Sequence, residues 1–177
     1  SIHWSHTESY SLIYSPLIED YRGTHPLIIL FVGFIGSALN YLMGGSPVIT
    51  VIIINAFFAS LGIFLSFIFF NLLLDEIFNA TLLTLIFGLS MSQLIFGSVP
   101  ENFALAGASI IATYVLLLIC LRDKKLYCEY WILTGILTFG VTITNFAQSI
   151  ICFSIAVIGL KIKNKFVIIL KYISVSY

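Results

Sequence analysis

From Leu27 to Leu74 the chain runs without a charged residue, more than twice the roughly 20 apolar residues that one helix needs to cross a bilayer. Two elements must share that run. Gly44-Gly45-Ser46-Pro47 is the natural break, because paired glycines free the backbone and proline suits the first turn of a new helix. The pattern predicts one element over Pro26 to Met43 and another over Pro47 to Leu74. Asp75 and Glu76 mark a membrane surface, Ile77 to Val99 is long enough to cross again, and Pro100-Glu101-Asn102 turns the chain at the opposite surface. Phe103 to Leu121 follows as a span that ends in Arg122, Asp123, Lys124 and Lys125. Tyr130 to Leu160 is again uncharged, too long for one upright helix, and polar at its centre (Thr142, Thr144, Asn145, Gln148, Ser149). It is read as two short helices, 130–145 and 146–160, meeting at Asn145, with a further helix starting at about 166–177.

The expected architecture is all-α: a polytopic membrane helical bundle, with residues 1–25 as an outer polar loop and 26–43 as a juxtamembrane, re-entrant or spanning helix. Gly33, Gly36 and Asn40 suit a bent element lying along the interface, although small residues are also common in spanning helices. Lys and Arg gather in short cytoplasmic loops. If Tyr130 to Leu160 forms a hairpin, the Arg122 to Lys125 turn and the Lys161, Lys163, Lys165 turn fall on one side, which becomes the cytoplasm. Glu101 and Asn145 then face the outside, or the lumen, and the chain is expected to be a multi-pass protein of a plasma or inner membrane.

Composition agrees with this pattern. Sixty per cent of the residues are hydrophobic and 9% are charged, with a mean hydropathy of +1.10, whereas soluble domains carry about a quarter charged residues. Eight basic residues balance eight acidic ones, so no net field would recruit nucleic acid. Cys120, Cys128 and Cys152 lack a CxxC spacing and a nearby His, and are expected to pack as small hydrophobes. Ser1 to Tyr14 has no basic flank followed by an apolar core and is not a signal peptide. A chain that lacks a starting Met and stops soon after Lys171 inside an apolar stretch reads as a piece of a longer protein.

Carboxylates at membrane depth or at helix ends are costly, which draws attention to those without a solvated loop around them. Glu101 stands in the short turn Ser98-Val99-Pro100-Glu101-Asn102-Phe103. It either serves chemistry or caps the helix that follows, where the dipole favours negative charge. Glu8, Glu19, Asp20 and His25 lie on the Tyr- and Ser-rich segment, most of them as ordinary loop charges. Pro26 forces His25 into an extended conformation where the chain reaches the bilayer. There the imidazole binds a phosphate or anchors the interface, and base rates favour the anchor. Gly140 to Asn145 places hydroxyls and an amide at a helix break, where freed backbone groups need partners. Asp75-Glu76 and Arg122 to Lys125 read as solvated turns.

Together these motifs resemble the membrane-embedded GT-C glycosyltransferases, the group that includes protein O-mannosyltransferases and lipid A aminoarabinose transferases. The matching pieces are Glu8-Ser9-Tyr10 through Asp20-Tyr21-Arg22-Gly23-Thr24-His25-Pro26-Leu27, the corner Pro100-Glu101-Asn102, and the Gly-rich helix of Gly135 to Asn145. They keep the family's order from about Glu8 to Leu160. The family's loop acid is commonly Asp where Glu8 stands, and its helix before the loop has no counterpart here. The resemblance implies transfer of a sugar from a polyprenyl-phosphate donor to an acceptor at the outer face, with the lipid tail against the apolar helices. It assigns Glu8 or Asp20 as base or metal-binding carboxylate, Glu101 as a second acidic group, and His25, Asn102 and Asn145 as phosphate or backbone-organising contacts. Whether a divalent metal takes part is left open.

Two other classes remain. A transporter or flippase also builds its substrate site from broken helices with polar residues at the break. In a non-catalytic membrane subunit the polar turns would be purely structural.

Overall fold

The computed structural model describes residues 34–42, 44, 46–98, 103–160 and 165–176. Among these the regular secondary structure is entirely helical: α1 (Gly36–Leu42), α2 (Pro47–Leu74), α3 (Ile77–Gly88), α4 (Met91–Ser98), α5 (Phe103–Asp123), α6 (Cys128–Val141), α7 (Ile143–Gly159) and α8 (Lys165–Ser176). Two of them, α2 and α5, are long and apolar enough to cross a membrane, and α3 with α4 makes a third if the bent pair counts as one span.

The start and end of α2 follow from local chemistry. Gly44 takes a positive φ of 74°, which glycine adopts without a Cβ clash, and Pro47 opens the helix. Thr50 Oγ1 donates to the Ser46 carbonyl at 3.0 Å and makes a long contact of 3.5 Å with Asn40 Oδ1 of α1. At the far end Asp75 adopts the left-handed conformation (φ 52°, ψ 24°) and its N–H closes on the Asn71 carbonyl. Between these caps α2 is mostly apolar, with few polar side chains. Phe57 and Phe64 are 62% and 58% exposed, the signature of a helix whose outer surface meets hydrocarbon rather than water. Its hydroxyls turn back on their own backbone: Ser66 Oγ donates to the Gly62 carbonyl at 2.8 Å. Such bonds satisfy polar groups where no water reaches them.

Helices α2 and α5 are parallel and closely packed. A Cβ added at Gly62 would lie 3.9 Å from Ala108 Cα, and thirteen and fourteen residues further on Asp75 and Arg122 meet in an ion pair of 2.9 Å. The chain between them must therefore travel back along α2. Gly88 lies against Ile63 and Gly97 against Ala59, so α3 and α4 together return along α2 to the level of Asn55. Ile77 to Val99 is thus not the straight helix the sequence suggests. It breaks at Leu89-Ser90 and bends by 57°, because Gly88 weakens the helix and Ser90 starts a new one, its Oγ accepting the Gln93 N–H at 3.4 Å.

Helices α6 and α7 form a hairpin. Trp131 and Phe153 stand eleven residues either side of Thr142 and would be about 33 Å apart on a straight helix, yet their rings are 5.3 Å apart. The break is at Thr142, in extended conformation, three residues before the expected meeting point at Asn145. Gly159 returns to Leu121 at the end of α5. Residues just before Lys161 therefore lie beside the Arg122 to Lys125 turn. Near this end Leu116, Cys120, Trp131, Cys152, Phe153 and Tyr172 form a buried core, with Trp131 Nε1 donating to Cys120 Sγ at 3.2 Å. Cys120 and Cys152 are buried free thiols, and Cys128 is exposed. In the turn Tyr127 donates to Asp123 at 2.9 Å, a bond to a carboxylate that raises the phenol's pKa above its ordinary value.

Candidate functional site

The candidate site is built around Asn145, in the first turn of α7. Thr142 Oγ1 accepts the Asn145 backbone N–H at 3.2 Å, a normal N-cap that satisfies one of the four free donors of a helix start. From this anchored turn the side chain crosses to α5, where Nδ2 donates to the Ala106 carbonyl and to Ser109 Oγ, each at 3.1 Å. Ser109 Oγ donates to the same Ala106 carbonyl at 2.8 Å. This network fixes the amide: turning it over would set Oδ1 against a carbonyl oxygen. Asn145 is 7% exposed. Both its amide protons are committed, and Oδ1 accepts no hydrogen bond from a described residue.

The residues that follow keep the same inward direction. Gln148 Nε2 donates to Tyr114 OH, and Ser149 Oγ and Tyr172 OH are 2.7 Å apart. Positions 145, 148, 149 and 152 lie on one helical face, so α7 turns its polar stripe toward α5 and α8 while Ile151, Ile155 and Ile158 are exposed. This arrangement, polar inside and apolar outside, suits helices packed in lipid, where polar side chains bond across interfaces.

Beside Asn145 lies a cavity of about 400 Å³. Phe58 of α2, Phe87 of α3, Phe96 of α4 and Phe103 of α5 line it with aromatic rings, and Ser92, Gln93 and Asn145 supply its polar groups. No charged side chain is among the described residues that line it. Its wall on the α4 side is held by Asn55, whose Nδ2 donates to the Phe96 and Gly97 carbonyls at 3.0 and 2.9 Å. Those carbonyls belong to the last turn of α4, where helix carbonyls run out of intrahelical donors, and an amide from a neighbouring helix serves them.

Of the residues expected at a site, Asn145 is described and sits at the cavity. Glu8, Asp20, His25, Glu101 and Asn102 lie outside the described residues, as does Glu19. Asn55, Ser92, Gln93 and Ser109 went unnoticed in the sequence. Two signals were present: Asn55 as an amide in the middle of a largely apolar helix, and Ser90-Met91-Ser92-Gln93, which carries the S-x-x-Q spacing of a helix start. Among the described residues no group of His, Cys, Asp or Glu is placed to hold a metal ion. No protein-family model matches the chain, nor does any curated protein or solved structure.

Proposed function

We propose that the protein is a multi-pass membrane glycosyltransferase of the GT-C type, moving a sugar from a polyprenyl-phosphate donor to an acceptor at the non-cytoplasmic face of a plasma or inner membrane. One observation carries this reading. Asn145 bonds to Ala106, three residues into α5 from Phe103, whereas the basic turn of Arg122, Lys124 and Lys125 and the returning Gly159 stand at the other end of α5. The positive-inside tendency assigns the basic end to the cytoplasm. The polar break and the start of α5 then share the outer end, which is where sugar transfer from a lipid carrier of this kind is expected.

In this reading Glu8 or Asp20 takes the proton of the acceptor hydroxyl as that oxygen attacks the anomeric carbon, and the phosphate leaves with the bonding electrons. Glu101 is the second acidic group, and His25 and Asn102 contact the phosphate. Asn145 organises the helices. With both Nδ2 protons bound to α5 it has none to offer a phosphate oxygen. Purified protein incubated with labelled polyprenyl-phosphate sugars should transfer the sugar or hydrolyse the donor, and Glu101→Gln should abolish both. Full activity in Glu101→Gln removes Glu101 from the site, and neither reaction in the wild type ends the enzyme reading.

A second reading is favoured by the bent pair α3–α4 beside the cavity, since broken helices with polar residues at the break also form transport sites. Movement of a labelled lipid across liposomes without covalent change is the outcome that separates transport from transfer.

A further inference from the structure

The cavity between α2, α4, α5 and Asn145 has a chemistry of its own. Its volume of about 400 Å³ lies within the roughly 300–1,000 Å³ typical of small-molecule sites. Asn145, which lines the cavity, is 7% exposed and its Oδ1 accepts no hydrogen bond from a described residue, so a ligand that donates there offsets the cost of a desolvated acceptor. Ser92 and Gln93, which also line it, likewise make no side-chain hydrogen bond with the described residues.

We infer that this cavity binds a neutral amphiphile, a long-chain alcohol in its simplest form, with the hydroxyl at Asn145 and the alkyl chain among the phenylalanine rings. The direction of hydrogen bonding decides the head group. Asn145 Oδ1 can only accept, so the ligand must present a donor there. Ser92 and Gln93 can donate as well as accept, and a hydroxyl engages both kinds of partner at once. A phosphate or carboxylate head would bring only acceptors toward Oδ1, in a wall where no described residue is cationic, and would be buried without a compensating charge. An ammonium head would find aromatic faces but no carboxylate among the described lining residues. Phe87, Phe96 and Phe103 offer apolar area to a hydrocarbon chain.

This inference rests on the membrane placement in the reading above and is independent of sugar transfer. Gly107 gives a direct handle on it. It lines the cavity, sits inside α5, and a Cβ added there meets nothing within 4 Å. Gly107→Leu would therefore project into the open volume while favouring the helix, since leucine is a better helix former than glycine.

The test uses hexadecanol carrying a mid-chain diazirine, with its methyl ether, the matching fatty acid and the matching amine as comparison probes. Each is photolysed with the full chain in detergent micelles, and adducts are mapped by peptide sequencing. The alcohol should label the α4 and α5 segments around Phe96 and Phe103. The ether, which keeps the chain and loses the donor, should label at least about fivefold less, the effect of leaving one buried acceptor unpaired. Gly107→Leu should abolish labelling at these segments while keeping the wild-type unfolding midpoint, and Gly107→Ala should retain labelling. Equal labelling by alcohol and ether overturns the hydroxyl assignment, stronger labelling by the acid or the amine overturns the neutral head, and unchanged labelling in Gly107→Leu overturns the cavity. A chain that shows no sugar transfer but labels as expected loses the enzyme reading and keeps this one; the reverse result does the opposite.

Discussion

Asn55 and Gly97 are joined by a hydrogen bond of 2.9 Å from a side-chain amide of α2 to a carbonyl in the last turn of α4. With the companion bond to the Phe96 carbonyl, it ties the returning half of a broken helix to α2, the longest of the described helices. Asn55 is 6% exposed, so water cannot take over if the amide is lost.

Replacing Asn55 by Leu, similar in size and without a donor, should therefore destabilise the bundle by about 1–2 kcal/mol, a range that respects the modest value of polar bonds inside membranes. Equilibrium unfolding in mixed detergent micelles measures it. A Leu variant as stable as the wild type would show that the two carbonyls do not need the amide.

Asn145 gives a sharper contrast. Asn145→Asp keeps the shape but removes the amide protons, turning a carboxylate toward the Ala106 carbonyl that now accepts from Nδ2. The Asp variant should be less stable than Asn145→Leu, because an unpaired buried charge costs more than a missing bond. The same unfolding assay ranks the two, and the opposite order contradicts the assigned amide orientation.

At Gly62 size is the variable. An added Cβ would lie 3.9 Å from Ala108, ordinary contact distance, so Gly62→Ala should be neutral or slightly stabilising. Gly62→Phe must separate α2 from α5 and should cost about 1–3 kcal/mol. Equal stability of the two variants would mean that this crossing is not the tight one.

The ion pair of Asp75 with Arg122 should matter much less. Its side chains are 71% and 55% exposed, and exposed pairs contribute about 0–1 kcal/mol. Arg122→Gln is expected to change stability by less than about 1 kcal/mol, and the difference from the wild type should shrink further as salt screens the pair. A large loss would mark this end as buried in the functional protein.

Topology can be read with single cysteines on a background lacking the native ones. Lys124→Cys and Lys163→Cys should react with an impermeant maleimide from the same side of the membrane, and Asn102→Cys from the other. Reaction of all three from one side removes the multi-pass reading.

The sequence by itself determined the class of environment and the spacing of the helices. Long uncharged runs cannot be solvated and must be helical in lipid, since every backbone group has to find its partner within the segment. Charges and Gly-Pro breaks then mark most of the ends, as Pro47 and Asp75 do for α2. What tertiary structure alone decided was which polar side chains meet. Asn145 reaches Ala106 across 39 positions and Asn55 reaches Phe96 across 41, and no local pattern encodes such partners, because they depend on helix rotation and crossing. The bend at Ser90 belongs to both levels: its cap residues are visible locally, but in a run apolar enough to continue as one helix, packing of α4 against α2 through Asn55 and Gly97 selects the broken form. The cavity is the consequence. It exists where the bent helix, the Phe-bearing faces and one buried amide converge, a coincidence of packing rather than a motif in the chain.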